Sequence, residues 1–142
     1  MKKSQMRWTK RTGATILEVL VVLTIIAMIA AVVGPRVIGY LGRAKSETAS
    51  LQINNLSDAV QLFYVDNGRY PGDGEGLIVL FDKPAGDAGW NGPYLETREA
   101  LSDPWGRDYV YIAPSSESSF SIQSFGRDGT QGGTGEDADL GS

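Results

Sequence analysis

Behind a short basic stretch, the chain runs through apolar residues from Ala14 to Val33, interrupted only by Thr15, Glu18 and Thr24. About twenty such residues are enough to cross a bilayer as a helix. A buried helix of a soluble domain would show a polar face, and a secretory signal would have a shorter apolar core followed by a small-residue cleavage site. Here Gly13 stands in front and the run continues to Val33, so a spanning helix fits better. After Pro35 the pattern changes. Val37, Ile38, Leu41, Ala44, Thr48, Leu56, Val60 and Phe63 recur at helical steps, with Arg43, Lys45, Glu47, Asn54 and Asp58 for a wetter side. Asn67-Gly68 supplies the stop. Read as one element from Ala14 to Asp66, this helix would be about 80 Å long. Pro35 with Gly34, Gly39 and Gly42 predicts a kink or an unwound stretch within it.

The remainder reads as short elements. Residues 76–81, Gly-Leu-Ile-Val-Leu-Phe, fit a short helix or a buried strand, with helix preferred. Residues 82–95 form a long loop anchored by Trp90, Pro93 and Tyr94. Asp103-Pro104-Trp105-Gly106 matches a type I turn. Residues 109–112 and 120–125 read as two antiparallel strands linked through Pro114 to Ser118, placing Phe120, Ile122 and Phe125 near one core, with Phe125 one step out of register. The fold class is therefore α+β: a long N-terminal helix, transmembrane in its first half and amphipathic in its second, packed on a small antiparallel β-sheet domain.

Charge sharpens the picture. The net charge of −4 conceals five basic residues before Gly13 (Lys2, Lys3, Arg7, Lys10, Arg11); without them eight basic residues face 17 acids, about −9. A basic flank favours keeping that end in the cytoplasm, which sends everything after Pro35 outward. The acidic body excludes a nucleic-acid partner. With no cysteine and no histidine, disulfides, thiolate or imidazole catalysis and His/Cys zinc sites are closed to this chain. Asp137 and Asp139, neighbours on one glycine-rich loop, do not make the opposed carboxylates of glycoside hydrolysis, so no enzyme is expected.

Two features carry candidate chemistry. Glu18 lies in the apolar run, where an ionised carboxylate costs around 3 kcal/mol at mid-bilayer and less near the interface. It is either tolerated at the boundary or matched to a cation. Cutting the chain after Gly13 would supply one, because the new amine of Ala14 would lie about 6 Å, one helical turn, from position 18. The second feature is the tail from Gly126, rich in glycine and acid. Composition admits a solvated tail; it also admits a calcium loop, with carboxylates from Asp128, Asp137 and Asp139 and glycines that let carbonyls turn inward.

Gly13-Ala14-Thr15-Ile16-Leu17-Glu18, then an apolar stretch and Pro35, resembles the class III signal of type IV pilins and pseudopilins. Glu18 and Pro35 fall at the fifth and twenty-second places after the glycine, as in that family; Ala14 departs from its usual phenylalanine or methionine. The resemblance implies cleavage between Gly13 and Ala14 by a prepilin peptidase, N-methylation at Ala14, and assembly through Glu18 and Pro35. Trp90-Asn-Gly-Pro-Tyr-Leu95, Asp103-Pro-Trp-Gly106, and Ser124-Phe-Gly-Arg-Asp-Gly129 with the following Gly-Gly-Thr-Gly-Glu-Asp-Ala-Asp narrow it to the major pseudopilins of type II secretion systems. That family implies a pilin-like fold and one structural calcium site with Asp128, Asp137, Asp139 and the Phe125 carbonyl as ligands, and Glu136 as an ambiguous neighbour.

The implied organisation is a cleaved leader over 1–13, a transmembrane and filament-core helix over 14–34, its amphipathic half over 35–68, and a periplasmic globular part over 69–142. The implied role is a structural subunit of the pseudopilus, which helps move folded proteins through an outer-membrane secretin. Implied partners are other copies in a homopolymer, minor pseudopilins, the peptidase, and an inner-membrane platform with its ATPase. The implied location is the bacterial inner membrane, single-pass, N-terminus cytoplasmic. An adhesive or DNA-uptake type IV pilin is the alternative, disfavoured by the acidic tail and missing cysteines.

Overall fold

The computed structural model describes residues 13, 15–116 and 119–142. The basic leader ahead of Gly13, Ala14 and Ser118 of the expected strand link lie outside the described residues. The chain divides into two units, Met1–Ile38 and Gly39–Ser142.

In the first unit, helix α1 (Ile16–Asn67) begins just after Thr15, whose Oγ1 accepts a hydrogen bond from the Glu18 main-chain N–H at 3.2 Å. This is an N-cap: a threonine oxygen satisfies one of the donors that the first helical turn leaves without a carbonyl. Every large apolar side chain from Ile16 to Val33 is exposed, and the most apolar 18-residue window of α1, with mean hydropathy 3.0, contains no buried residue. The Thr24 hydroxyl donates to the Leu20 carbonyl at 2.8 Å, which hides its polarity within the helix. α1 continues through Pro35 and the neighbouring glycines without the unwound stretch that the sequence admits. The proline removes one main-chain donor, and the adjoining turns keep the others.

In the second unit α1 buries Gly42, Ala49, Ile53, Leu56, Ala59, Val60 and Phe63. Leu56, Val60 and Phe63 are the expected core positions. Leu41, Ala44 and Thr48 are exposed, and Val37 and Ile38 in the first unit are exposed as well. The sequence misplaces the start of the stripe because α1 carries apolar residues on two faces: Leu51, Leu62 and Val65 stay more than half exposed. The face that meets the body begins with the small residues Gly42 and Ala49, which permit close approach.

Against this stripe pack Leu77, Val79, Leu80, Leu95, Tyr109 and Ile122. Leu77, Val79 and Leu80 come from a 3-10 helix, Gly76–Leu80, the helical option for that segment. Trp90 and Tyr94 anchor the loop as expected. The Trp90 indole donates to the Val79 carbonyl at 2.8 Å, and the Tyr94 hydroxyl donates to Asp66 at 2.8 Å with its ring edge-on to Phe63. Pro93, the third expected anchor, is exposed and follows a cis peptide bond. Arg69 ties the same region together through Glu75 at 2.7 Å and Asp87 at 3.0 Å, and its guanidinium holds the Glu75 carboxyl below the usual range.

The sheet has three antiparallel strands in sequence order: β1 (Val110–Ile112), β2 (Ser121–Ser124) and β3 (Leu140–Gly141). Tyr111 pairs with Ile122, and Ser124 with Leu140. Strand alternation turns Tyr111 and Ile122 inward and leaves Val110 and Ile112 exposed. The Tyr109 hydroxyl donates to Gln52 at 2.7 Å and that of Tyr111 to the Pro71 carbonyl at 3.0 Å; burial raises both phenols, Tyr111 to about 12. β3 was not anticipated. Phe125 stands apart from the core, because the inward face that holds Ile122 continues with Ser124, which is buried instead.

Candidate functional site

Two places carry the candidate residues. At the first, Gly13 is exposed, Ala14 lies outside the described residues, and Glu18 occupies the third position of α1 with its carboxylate exposed. Thr15 and Glu18 have capping-box spacing, three residues apart, so the acid also suits the positive end of the helix dipole. Among the described residues, no cation pairs with Glu18 and no side chain donates to its carboxylate. Pro35 lies inside the helix and is exposed.

The second place is the loop between β2 and β3. Two glycines shape its turns. Gly126 has φ +62°, and a Cβ there would meet the Glu136 and Ala138 carbonyls at 2.8 and 2.9 Å; Gly133 has φ +91°, and its Cβ would collide with the Asp137 carbonyl. The loop closes through the Arg127 N–H on the Glu136 carbonyl at 2.9 Å, while the Phe125 carbonyl accepts from Gly129 N–H at 3.1 Å.

Each acid has its own partner. Asp128 accepts from the Thr130 N–H at 3.1 Å and hydroxyl at 2.8 Å, and these two hydrogen bonds hold its carboxyl below the usual range. Asp139 accepts from Gly132 N–H at 2.9 Å. Asp137 is gripped at both oxygens by Arg127, whose guanidinium that pairing makes still harder to deprotonate. Among the described residues no three acids, histidines or cysteines converge closely enough to hold a metal ion, so Asp128, Asp137 and Asp139 share a loop but not a point. Their donor chemistry still suits calcium: hard oxygens only, from carboxylates and carbonyls on a glycine-shaped loop. Glu136 shares the Arg127 guanidinium, 3.4 Å from Nη1 to its Oε2, while it accepts from the Trp105 indole at 3.1 Å and lies so close to Gly42 of α1 that a Cβ there would come within 2.7 Å of its Oε2.

Sequence reasoning missed three residues here. Arg127 had a visible signal, a lone cation inside an acidic loop. Asp103 was read only as a turn residue, and Gly106 N–H does donate to its carbonyl at 2.9 Å. In addition its buried carboxylate accepts from Trp105 N–H, Arg107 N–H and the Ser124 hydroxyl at 3.0, 2.9 and 2.7 Å. Gly42 was read as a weak point of the helix; its service is to make room for Glu136.

This architecture is similar to the crystal structure of the major pseudopilin from the type 2 secretion system of enterohaemorrhagic Escherichia coli, with TM-score 0.58 and 28% identity over 73% of this chain and 87% of that one. Type II secretion system core protein G of Pseudomonas aeruginosa is 36% identical over 141 residues, covering 96% of this chain and 98% of its own. Its counterpart from Xanthomonas campestris pv. campestris is 35% identical over 130 residues, covering 92% and 88% respectively. Residues 36–142 match the family described as type II secretion system (T2SS), protein G. With a family match over most of its length and relatives above 30% identity along nearly all of it, the chain belongs to the protein G family of type II secretion systems.

Proposed function

We propose that this protein is a non-enzymatic structural subunit that polymerises into the pseudopilus of a type II secretion system. The observation that carries the reading is the first half of α1, a helix apolar on every side that the chain itself leaves uncovered. Lipid covers it before assembly and neighbouring helices cover it afterwards, both environments being apolar. Leu51, Leu62 and Val65, more than half exposed on the second half of α1, offer neighbouring copies further apolar surface to bury. The basic leader keeps the N-terminus cytoplasmic and the body periplasmic. A prepilin peptidase cuts after Gly13, and Glu18 takes the Ala14 amine of an adjacent copy. Minor pseudopilins and an inner-membrane platform with its ATPase are the further partners. Intact mass and N-terminal sequencing of the protein from membranes test this directly. The expected N-terminus is position 14; an intact leader on chains that still build filaments overturns the scheme.

The second part of the reading is a structural calcium ion in the loop between β2 and β3. Asp128, Asp137, Asp139 and the Phe125 carbonyl would hold it, and the ion would join the two ends of an acidic segment. The benefit is structural, since a small body without disulfides gains from such a staple. At a hundredfold excess over its dissociation constant, an ion bound only by the folded state adds about 2.7 kcal/mol. Chelation should therefore lower the melting temperature of the body by roughly 10 °C or more and expose residues 126–139 to proteases. An unchanged melting curve and an unchanged digest would remove calcium from the account.

A further inference from the structure

Charge is segregated along this chain. The first three charges after Glu18 are all basic, Arg36, Arg43 and Lys45; with these four residues set aside, five basic residues face 16 acids in the rest of the chain beyond Gly13. Elsewhere arginines hold acids: Arg69 holds Glu75 and Asp87, Arg98 holds Asp82 at 3.3 Å, and Arg127 holds Asp137. Among the described residues none of Arg36, Arg43 and Lys45 forms an ion pair. Tyr40 and Leu41, both exposed, lie in the same stretch, and the Arg43 guanidinium stands 5.2 Å from the centre of the Tyr40 ring. That contact folds it toward the N-terminal end of the helix, the direction in which helical side chains lean.

The stretch begins where the apolar run stops. Tyr40 follows Val33 by seven residues, about 10 Å along a helix, and the head-group layer reaches about 5–8 Å beyond the hydrocarbon. Long basic side chains that lean back bridge such a difference, and tyrosine favours the same boundary. An anionic surface attracts this stretch and repels the acidic remainder of the body.

We propose that residues 36–45 bind the phosphate groups of anionic phospholipids where α1 leaves the membrane. Arg36, Arg43 and Lys45 meet the phosphates, and Tyr40 backs the Arg43 guanidinium. The inference rests on the reading of the first half of α1 as a membrane span. Lipid then satisfies these charges before assembly, and a subunit drawn out of the bilayer must give the phosphates up. The anionic lipid content of the membrane therefore sets how readily subunits enter a filament.

The test uses the protein as purified from membranes, in detergent micelles doped with equimolar phosphatidylglycerol and phosphatidylcholine. Native mass spectrometry counts the lipids that stay bound. The double variant Arg43→Gln, Lys45→Gln is compared with Lys83→Gln, Arg98→Gln, which removes the same charge from the body. Wild type should retain phosphatidylglycerol in excess, and the first variant should lower that excess at least about fivefold, the scale of one cation at an anionic surface. The second variant should leave it unchanged. No excess in wild type, or an equal excess in wild type and the first variant, overturns lipid binding; fewer filaments from that variant would then assign the cations to acids of a neighbouring copy. An equal fall in both variants overturns it too, since net charge alone would set the ratio. Wild type that alkaline carbonate strips from phosphatidylcholine vesicles has no span, and the reading falls together with this inference.

Discussion

Replacing Glu18 by alanine should leave insertion and folding intact and reduce filament yield more than a hundredfold. The substitution does not disturb the start of α1, because the Thr15 cap binds the main-chain N–H of residue 18, which alanine keeps. Alanine is also the better helix former, so the local loss is confined to the dipole contribution of about 0.3–1 kcal/mol. Insertion becomes easier, since an acid in the apolar run costs up to around 3 kcal/mol. Assembly is different. In a helical bundle the Ala14 amine of each incoming copy would be left without its acid, and breaking one side of a buried ion pair costs about 3–5 kcal/mol. At about 1.4 kcal/mol per factor of ten, that is roughly two to three and a half orders of magnitude in the association constant of each added subunit. Sheared filaments quantified by sedimentation, beside the membrane-bound pool as a control, measure the effect. Glu18→Gln, which keeps the shape and loses the charge, should fail equally. Normal filament yield from either variant would show that the acid is only tolerated near the boundary.

The helical half of this protein was legible in its sequence because two long-range signals agree there. A long apolar run from Ile16 onward, broken only by Glu18 and Thr24, has few alternatives to a helix, and residues 56, 60 and 63 keep helical spacing into the body. Which face of α1 meets the body was not legible. Apolar residues lie on both, and the choice of Ala49, Ile53, Leu56, Val60 and Phe63 over Leu41, Leu51, Leu62 and Val65 depends on where Leu80, Tyr109 and Ile122 arrive from much later in the chain. In the sheet, alternation located β2 but did not extend to Phe125, because the inward position after Ile122 is a serine. That place is polar for a reason visible only in three dimensions, the buried Asp103 carboxylate 2.7 Å away. β3 has two residues, too few for any periodicity. For the candidate site, the acids of the final loop were legible as a group, whereas their separate partners were not. Arg127 and Asp137 are ten positions apart and meet only because Gly126 and Gly133 turn the chain back.

Asp103→Ala should be the most damaging single change in the body that alters no apolar core residue. The carboxylate is 6% exposed and accepts three hydrogen bonds, two from the Trp105 and Arg107 main chain and one from the Ser124 hydroxyl. Ser124 in turn accepts from Gly126 N–H at 3.3 Å, so one acid connects the turn at 103–106 to β2 and to the first residue of the final loop. Alanine leaves two N–H groups and a buried hydroxyl without their acceptor. Hydrogen bonds to a charged group are worth about 1.5–3 kcal/mol each, and partial relaxation with water entry brings the net loss to about 3–4 kcal/mol. For a body of this size that corresponds to a fall of roughly 15 °C in Tm, and against a typical total stability of about 5–15 kcal/mol it is a large share. Near-UV circular dichroism follows the body selectively in the chain cut after Gly13, since that cut removes Trp8 and the apolar half of α1 carries no aromatic residue. Asp103→Asn should cost about half as much, because its carbonyl oxygen still serves the two main-chain donors and only the link to Ser124 must be remade. Ser124→Ala should cost about 1 kcal/mol, and combined with Asp103→Ala it should add little, because both remove the same bond. Full additivity, or a Tm change of only a degree or two in Asp103→Ala, would mean that the turn and β2 are held together by packing alone.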